Sequence, residues 1–365
     1  MTGQSDPAIL KSPLHESAFL ASTDSSSCGH ISMKISVWKP SFEDAAIALA
    51  VFVLCVMIWT ESSSSSLQAT LLRWFSTSKG TSFATCANPQ GVASDGPHIW
   101  VACRGSNSIQ QLNAHDGRPL RTITDSEDLA TPENLVFDGA NIWVSNASIH
   151  RGRLTKVRAN DGTVLSTYAV GSGPYGMVFD GASVWVANYG SNDLSKVNVG
   201  TGRVTNDIRL AGCHLPDALG FDGSHIWVNC GNDQTVQELD RNGLYLQTVK
   251  VDSHPYNFAY DGSNIWVVNV TGNSVTKITT TANVSCPSPP CLVGTYSVGA
   301  HPQGIVFDSK YIWVSNLYEN SLTKLSASDG GLFETITGLS SPGLIAFDGG
   351  NIWVTQGPAN RVSKF

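Results

Sequence analysis

Side chains that could bind or transform a small molecule recur beside regularly spaced prolines from residue 89 onward. The residues that directly follow seven of these prolines are Gln90, Glu133, Tyr175, Asp217, Tyr256, Gln303 and Gly343. Carboxylates can act as general acids or bases, and tyrosine rings pack against sugars, peptides and cationic groups. His254 and His301 directly precede two of the prolines, and imidazoles change charge near neutral pH. If the fold gathers these positions, we expect a polar, mildly acidic surface with two aromatic rings.

The two carboxylates of this set, Glu133 and Asp217, would suit acid–base catalysis only if the fold brings them together. The sequence places them two repeats apart, with nothing to indicate that they converge, so we assign no catalytic residue. An alternative is that these side chains only hydrate a solvent channel. The candidate ligand-binding residues are Gln90, Glu133, Tyr175, Asp217, Tyr256, Gln303, His254 and His301.

Six cysteines lie in or beside the repeats and predict three local disulfides. The predicted pairs are Cys86 with Cys103, Cys213 with Cys230, and Cys286 with Cys291. In the first two pairs, one cysteine falls three residues before a repeat proline and the other three residues after a tryptophan. These places are neighbours in an antiparallel hairpin, whereas pairing between distant repeats would exceed the ~7 Å limit on the Cα separation.

A zinc site is the competing interpretation of the third cysteine pair, but no cluster of four ligands is evident in the sequence. Cys28 and Cys55 have no evident partner. Three local disulfides indicate an oxidising compartment.

The elements that must position all these residues are copies of one repeat. A tryptophan marks each copy, at Trp100, Trp143, Trp185, Trp227, Trp266, Trp313 and Trp353. Each copy starts at a proline, continues as a mainly apolar strand, turns at Asp-Gly, and returns through the tryptophan; two further strands follow. Four antiparallel strands at a period of about 42 residues are the signature of a propeller blade. The sequence therefore predicts an all-β, seven-bladed β-propeller of four-stranded antiparallel blades.

The last copy ends at Phe365 after its third strand, so its fourth strand must come from elsewhere. Residues around Lys79–Ala84 directly precede the first copy and are predicted to supply that strand. Within each copy, we expect the tryptophan to pack between blades and the aspartate of Asp-Gly to be a turn residue and not a metal ligand. The asparagine three residues after the tryptophan is expected to bond to the backbone of the following loop.

Three segments precede the repeats. Residues 1–43 are polar and predicted to be disordered, residues 44–60 hold a hydrophobic helix, residues 61–78 form a linker, and residues 79–365 form the propeller. The apolar run from Ala45 to Trp59 has the length of a signal-peptide core or a short signal anchor, and a buried core helix is the alternative. Lys34 and Lys39 precede it, so the propeller is expected outside the membrane. The start of translation could be Met1 or Met33.

Composition and charge also restrict the partners. The chain has a formal net charge of −7, and only 14% of its residues are charged. Such a chain lacks the abundance of lysine and arginine that neutralises phosphates, so nucleic acid is not a favoured partner.

The repeat Pro-x-Gly-x-x-x-Asp-Gly-x-x-x-Trp-Val-x-Asn, clearest at Pro174–Asn188, resembles that of streptogramin (virginiamycin B) lyases and YncE-like periplasmic propellers. The resemblance covers about residues 80–365 and implies the propeller fold. In the lyases, a histidine follows the proline in two late blades, a glutamate precedes one of those prolines, and these groups supply base chemistry near a magnesium ion. In this chain Tyr256 and Gln303 occupy the histidine positions and His301 the glutamate position. Tyrosine and glutamine do not titrate near neutral pH, so the lyase activity is not expected to transfer.

We therefore predict an extracytoplasmic, monomeric propeller, periplasmic or extracellular, that binds a small molecule, a glycan or a protein at the mouth of its channel. It is anchored to the membrane if residues 45–59 are retained. No metal or cofactor is expected. The alternative is a streptogramin lyase-like enzyme, a C–O lyase or hydrolase, with an altered active site. This alternative is suggested by His254 and His301, which lie in adjacent repeats. Mg²⁺ is expected only in that case.

Overall fold

The computed structural model describes residues 80–125, 127–147 and 152–365. They form seven four-stranded antiparallel sheets, which we number as blades one to seven in chain order. In this part of the chain no helix is long and apolar enough to span a membrane. The predicted disordered segment, apolar helix and linker lie outside the described residues.

The strands follow the repeat. Those of blades one to three are β2 (Pro89–Ser94), β3 (His98–Cys103), β4 (Ser108–Asn113), β5 (Pro119–Thr124), β6 (Pro132–Phe137), β7 (Asn141–Asn146), β8 (Arg153–Arg158), β9 (Val164–Ala169), β10 (Pro174–Phe179), β11 (Ser183–Asn188), β12 (Asp193–Asn198) and β13 (Val204–Arg209). Those of blades four to six are β14 (Leu219–Phe221), β15 (Ile226–Cys230), β16 (Thr235–Leu239), β17 (Tyr245–Lys250), β18 (Pro255–Tyr260), β19 (Asn264–Asn269), β20 (Ser274–Thr279), β21 (Cys291–Ser297), β22 (Pro302–Phe307), β23 (Tyr311–Asn316), β24 (Ser321–Ser326) and β25 (Leu332–Thr337). Blade seven consists of β26 (Pro342–Phe347), β27 (Ile352–Gln356), β28 (Arg361–Lys364) and the N-terminal strand β1 (Thr81–Ala84).

The first strand of each blade is the inner one. Inner strands of consecutive blades contact each other, and β2 also contacts β26, so the ring closes between blades one and seven. The predicted closing strand is confirmed, because β1 pairs antiparallel with β28, with Phe83 opposite Val362. Blade seven is thus completed by residues from the other end of the propeller.

The repeated tryptophans fill the spaces between blades, as predicted. Six of them are 0% exposed and Trp313 is 7% exposed. Trp353 of blade seven, for example, packs with Val92, Ile99 and Val101 of blade one. These buried rings form the contacts that hold consecutive sheets together.

The aspartate of each such turn, which is Asp-Gly in six blades and Asp308-Ser309 in blade six, does more than the sequence indicated. One carboxylate oxygen accepts the turn's backbone N–H groups, and the other accepts the indole N–H of the same blade's tryptophan. The indole-to-carboxylate distance is 2.6–2.9 Å in all seven blades. The turn therefore fixes the orientation of the ring, because a buried indole N–H needs an acceptor.

The expectation for the asparagine after the tryptophan needs correction. Asn269 donates to Ser274 Oγ and Thr276 Oγ1, and Asn316 donates to Ser321 Oγ and Thr323 Oγ1. In these two blades the bonds go to side-chain oxygens of the third strand and not to the backbone of the loop. Asn146 donates to Thr155 Oγ1 of the third strand and also to the backbone carbonyls of Asp128 and Arg153. The reason is that the asparagine ends the second strand inside the sheet, where the third strand is its neighbour.

All three predicted disulfides are present: Cys86–Cys103, Cys213–Cys230 and Cys286–Cys291. Pro89 lies opposite Cys103 in the register of β2 and β3, which explains why a cysteine three residues earlier reaches it. Three disulfides are typical of an oxidising, extracytoplasmic environment.

Candidate functional site

A strained backbone position precedes the inner strand in every blade. The residue before each of the seven repeat prolines has a positive φ angle, between 45° and 61°. Only Gly173 among them is a glycine; the other six are Asn88, Thr131, Leu215, His254, His301 and Ser341. Positive φ is uncommon for residues with a side chain, and such strain concentrates at functional sites. The repeated conformation turns the chain sharply into the inner strand.

The residue after each proline, where the candidate site residues lie, is at a bulge. In blades one, three, five, six and seven the register of the inner strand shifts between the proline and the residue three positions later. A bulge re-aims a side chain relative to regular pairing. The glycine of Pro-x-Gly follows, and a Cβ on Gly176 would come within 2.5 Å of the backbone oxygen of Asp217 in the next blade. Glycine is required there because neighbouring inner strands approach so closely.

Backbone atoms of the candidate residues are tied to the adjacent blade. Ser145 Oγ donates to the carbonyl of Tyr175 at 2.7 Å, and Thr355 Oγ1 donates to that of Gln90 at 2.9 Å. Asn257 Nδ2 donates to the carbonyl of Gln303 at 2.9 Å. The positions of these residues are therefore fixed around one end of the channel, which we call the mouth.

Four of the predicted residues come together at the mouth: Glu133, Tyr175, Asp217 and Tyr256. The rings of Tyr175 and Tyr256 have centroids 6.4 Å apart although they belong to blades three and five. The two carboxylates act electrostatically on both phenols. We call these four residues the acidic–tyrosine cluster.

Glu133 is buried and carries one charged partner. Its side chain is 1% exposed, and its Oε1 lies 2.8 Å from Nη1 of Arg104 without the alignment of a hydrogen bond. Burial raises the pKa of Glu133 to about 7, although the Arg104 charge opposes that rise.

Asp217 has no cationic partner among the described residues. Asn229 Nδ2 donates to its carboxylate, and Asn229 Oδ1 accepts the backbone N–H groups of Asp217 and Ala218 at 3.0 and 2.7 Å. Burial raises the pKa of Asp217 to about 7 despite the hydrogen bond from Asn229. Asp217 thus presents a desolvated carboxyl group whose charge no residue compensates.

The phenols have shifted acidities for the same reason. Burial, and next the charge of Glu133, raise the pKa of Tyr175. Burial raises the pKa of Tyr256 well above its ordinary value. Both hydroxyls therefore remain protonated at neutral pH and act as hydrogen-bond donors.

The remaining predicted residues are not shown in contact with this cluster. Gln90 donates to Asn88 Oδ1 at 2.8 Å, and Gly343 offers only backbone. His301 stacks on Tyr318 with centroids 4.1 Å apart, and burial, followed by the charge of His254, lowers the pKa of His301. The two histidines therefore lie near each other at the rim between blades five and six.

Sequence reasoning missed Arg104 and Asn229. Arg104 directly follows a disulfide cysteine, and nothing in its spacing connects it to Glu133. Asn229 could have been recognised from the sequence, because the residue two positions after the tryptophan is Ala, Ser, Val or Thr in the other copies. An amide in place of these smaller side chains indicated a change at that point of blade four.

Beneath the mouth the channel narrows to a cavity of about 180 Å³. Seven side chains line it at the third position after each proline: Val92, Leu135, Met177, Leu219, Phe258, Ile305 and Ile345. Asn134 and Asn257 also line it. A constriction of this size admits no more than a small group, so a ligand would sit above it, against the acidic–tyrosine cluster.

One group of described residues has the ligand types of a metal site. Asp222, His225 and Glu238 place one ligand atom each within 4.8 Å of one another. They lie at the Asp-Gly end of blade four, the opposite end of the inner strand from the mouth. They are therefore separate from the acidic–tyrosine cluster.

Solved structures similar to this chain are seven-bladed streptogramin B lyases and other propellers. Virginiamycin B lyase from Staphylococcus aureus, a catalytically inactive variant solved with quinupristin, matches with 17% identity and a TM-score of 0.66 over 78% of this chain and 98% of that chain. Hydrazine synthase from Kuenenia stuttgartiensis matches with 18% identity and a TM-score of 0.64 over 79% and 98%. The propeller domain of Cps50 (Swd1) from Myceliophteria thermophila matches with 11% identity and a TM-score of 0.64 over 78% and 99%.

No protein-family profile matches the sequence, and no curated protein matches it. The similar structures have varied functions, as is usual for propellers. The expected resemblance to streptogramin lyases is confirmed in structure: this chain has the seven-bladed fold of those lyases, and at such low identity the likeness describes the fold alone.

Proposed function

We propose that this propeller is a binding module that takes a cation-bearing small molecule, or a cationic side chain of a peptide, at the mouth of its channel. The observation that carries the proposal is the unpaired, desolvated carboxyl group of Asp217 beside the rings of Tyr175 and Tyr256. A carboxylate next to aromatic faces suits an ammonium group, which gains both charge pairing and cation–π attraction.

The neighbouring ion pair adds a second recognition element. Arg104 is 47% exposed on the side chain, whereas Glu133 beneath it is buried. The exposed guanidinium can meet a carboxylate or phosphate of the same ligand, since arginine forks suit planar anions. A ligand with an amine and an acidic group separated by a short spacer would satisfy both ends of the mouth.

Benzylamine is a suitable first probe, with benzyl alcohol as its uncharged match. We expect the full-length chain to bind benzylamine in preference to benzyl alcohol by isothermal titration calorimetry. Tyr175→Ala, Tyr256→Ala and Asp217→Asn should each weaken that binding about tenfold or more, because each removes one recognition element worth roughly 1–2 kcal/mol.

Tyr318→Ala is the control, because Tyr318 is an exposed aromatic residue that stacks on His301 and not on the cluster. Equal binding of benzylamine and benzyl alcohol, or unchanged affinity in all three cluster variants, would contradict a cation site at the mouth.

A lyase-like enzyme with an altered active site is the second candidate function. The observation that favours it is that Glu133 and Asp217 both have a pKa of about 7, the range that suits a general acid or base at neutral pH. In that case one carboxyl group would accept a proton from the substrate and a tyrosine hydroxyl would donate to the leaving oxygen. Mg²⁺ is a possible cofactor only under this alternative.

Quinupristin, the ligand of the similar inactive lyase, tests the alternative. Quinupristin is incubated with the full-length chain and Mg²⁺ and then analysed by liquid chromatography and mass spectrometry. If the protein is a lyase-like enzyme, a new product of quinupristin should be detected. That product should be lost in Glu133→Gln and Asp217→Asn. An unchanged chromatogram leaves the binding function as the better account for this substrate.

For location, we propose that the segment from Ala45 to Trp59 directs the propeller out of the cytoplasm, to the periplasm or the exterior. The three disulfides support this, because such bonds persist in oxidising compartments. Alkaline phosphatase fused after Phe365 should be active, since that enzyme needs disulfides of its own. A stable but inactive fusion would place the propeller inside the cell.

A further inference from the structure

We propose that Asp222, His225 and Glu238 form a binding site for a divalent transition-metal ion between blades four and five. The site is independent of the mouth and of the function proposed for it. Its ligands would be His225 Nδ1, one oxygen of Asp222 and Oε1 of Glu238.

The repeat shows what Glu238 replaces. Opposite the tryptophan in five blades stands a lysine whose ammonium lies 4.3–5.3 Å from the ring centroid: Lys156, Lys196, Lys277, Lys324 and Lys364. Blade one has Gln111 there, and in blade four Glu238 pairs with Trp227 in the same register. Blade four thus has a carboxylate where five other blades have a cation.

In the blades that have this lysine, its ammonium group makes two kinds of interaction. Lys277 Nζ donates to the carbonyl of Ala327 in the turn of the next blade at 2.8 Å, and Lys364 does the same to Ala114 at 2.8 Å. Burial lowers the pKa of Lys277, and the charge of Asp261, the Asp-Gly aspartate of blade five, opposes that fall. In blade four no lysine stands beside the equivalent aspartate, Asp222; His225 Nδ1 lies 3.5 Å from its Oδ2, and Glu238 occupies the position of the lysine.

Both carboxylates are buried. The side chains of Asp222 and Glu238 are 3% and 6% exposed. Two buried carboxylates side by side favour a bound cation, since uncompensated buried charge is costly.

The geometry suits a shared ion better than a hydrogen bond. His225 Nδ1 lies 3.0 Å from Glu238 Oε1 and 3.5 Å from Asp222 Oδ2, and neither contact has hydrogen-bond alignment. In blade one, by contrast, the equivalent His98 Nδ1 hydrogen-bonds to Asp95 at 3.1 Å. Ligand atoms of a tetrahedral zinc ion are about 3.3 Å apart, and they lie off the axis of the ring nitrogen because the ion occupies that axis.

Outer hydrogen bonds hold the ligand side chains in place. Gln247 Nε2 donates to Glu238 Oε2 at 2.8 Å, which leaves Oε1 to face His225. Ser224 N and His225 N donate to Asp222 Oδ1, and Trp227 Nε1 donates to Oδ2 at 2.9 Å. Such supporting bonds are usual around metal ligands, because they fix the orientation of each ligand.

The neighbouring blade departs from the repeat at the same interface. By analogy with the lysines, Glu238 faces the residues after the third strand of blade five, where the insertion with Cys286–Cys291 begins. Tyr260 of blade five packs against the cluster that contains Trp227 of blade four, at this same interface. A metal ion here would replace the missing lysine as the link between blades.

One imidazole, two carboxylates and a fourth position open to solvent favour zinc or a similar ion over magnesium, which prefers oxygen ligands alone. His225 is 38% exposed and gives the ion a path to solvent.

The test uses the full-length chain with its disulfides intact, its free thiols alkylated and its metals removed with EDTA. ZnCl₂ should bind at one ion per chain at this site and raise Tm by about 5 °C at a hundredfold excess over Kd. MgCl₂ at the same concentration should not raise Tm. Bound zinc is measured by elemental analysis after dialysis.

Matched variants separate this site from other histidines. His225→Asn introduces the residue that blades two, five and seven carry at this position, and Glu238→Gln preserves the volume of the side chain. Both should lose one bound zinc and the rise in Tm. His98→Ala, at the same position in blade one, should respond to zinc like the unsubstituted chain.

Restoring the repeat provides the sharpest control. Glu238→Lys should fold with a Tm near that of the zinc-loaded chain, and zinc should not change it. The proposal is overturned if the unsubstituted chain binds no zinc, or if His225→Asn and Glu238→Gln respond as it does. It is also overturned if zinc binds to the unsubstituted chain but leaves its Tm unchanged.

Discussion

At the scale of single residues, the mouth of the channel is defined by carboxyl groups that the fold desolvates. Glu133 and Asp217 are each held by one partner, Arg104 and Asn229, and neither partner offsets the effect of burial on the pKa. Natural cores rarely keep such groups without a reason, because paired or neutral residues are cheaper to bury. Their retention beside two tyrosines supports a site that meets a cation or transfers a proton.

These two carboxyl groups should make stability depend on pH. Each has a pKa of about 7 in the folded chain and of about 4 when unfolded. Between those values the folded state binds more protons, so the free energy of unfolding falls as pH rises from about 4 to 7 and is then constant. The loss is on the order of 3 kcal/mol per group.

Urea unfolding of the full-length chain at pH 5 and pH 8 measures this effect. Glu133→Gln and Asp217→Asn should each reduce the difference between the two pH values. Asp161→Asn is the control, because hydrogen bonds with Thr163 lower the pKa of Asp161 to about 2, outside the tested range. A difference that neither substitution alters would show that the carboxyl groups are ionised at both pH values.

The same linkage applies to the proposed ligand with the opposite sign. An ammonium group binds the ionised form of Asp217, so benzylamine affinity should increase as pH rises through about 7 and level off above it. The gain should be up to about tenfold per pH unit below the pKa. Calorimetry at pH 5.5, 7 and 8.5 checks this, and a flat or falling affinity would mean that Asp217 does not contact the ligand.

At the scale of elements, an asparagine latch joins the loops of consecutive blades. In five blades an asparagine before the third strand accepts the backbone N–H of the positive-φ residue in the next blade, at 2.7–2.9 Å. These asparagines are Asn107, Asn192, Asn273, Asn320 and Asn360, and they have positive φ themselves. The latch therefore couples two strained residues across each interface and places the chain that enters the mouth.

Replacing three exposed latch residues should show their contribution. Asn273→Gly, Asn320→Gly and Asn360→Gly keep the positive φ at no steric cost but remove the acceptor. Combined, they should lower the free energy of unfolding by about 2–3 kcal/mol, because each lost bond is worth about 0.5–1.5 kcal/mol and the sites are far apart. Thermal or urea unfolding is the measurement.

The matched set Asn273→Asp, Asn320→Asp and Asn360→Asp keeps a side-chain oxygen as acceptor and should lose much less. Gln234→Ala is a further control, since Gln234 has this position in blade four and makes no such bond there. If the glycine and aspartate sets are equally stable, the side-chain acceptor does not hold the interface.

At the scale of the whole molecule, the ring is closed by a strand from its own N-terminal end. β1 completes blade seven, and the ring of Phe83 lies 5.7 Å from that of Trp353. Without β1, the unpaired backbone of β28 would form an open edge, which is prone to pair with another chain. Both ends of the propeller thus meet in one sheet, so that neither can leave without opening the ring.

Deleting Thr81–Ala84 from the full-length chain should therefore lower Tm by about 5–10 °C and promote self-association. The disulfide Cys86–Cys103 remains possible in this variant. Deleting Ser62–Ser65, which lies outside the described residues, is the length-matched control. Differential scanning calorimetry and size-exclusion chromatography give the result, and equal behaviour of the two deletions would show that β1 does not stabilise the ring.

The repeat by itself determined the propeller, the seven blades, the closing strand and the three disulfides. These depend on patterns that act locally: an Asp-Gly turn fixes a hairpin, alternation fixes a strand, and cysteines at matching hairpin positions can reach each other. The same pattern located the ring of positions after each proline. Equivalent residues of the seven blades have the same conformation, so their side chains surround the same channel.

Only the tertiary structure decided which of those positions act together. Tyr175 and Tyr256 are 81 residues apart in the chain and meet because their side chains converge from different blades. The contact of Arg104 with Glu133 likewise joins two blades, whereas Asn229 meets Asp217, and His225 meets Glu238, within blade four. These contacts depend on distances between side chains of different strands, and the desolvation of Glu133 and Asp217 depends on exclusion of water by the whole ring. No local pattern in the sequence encodes either quantity.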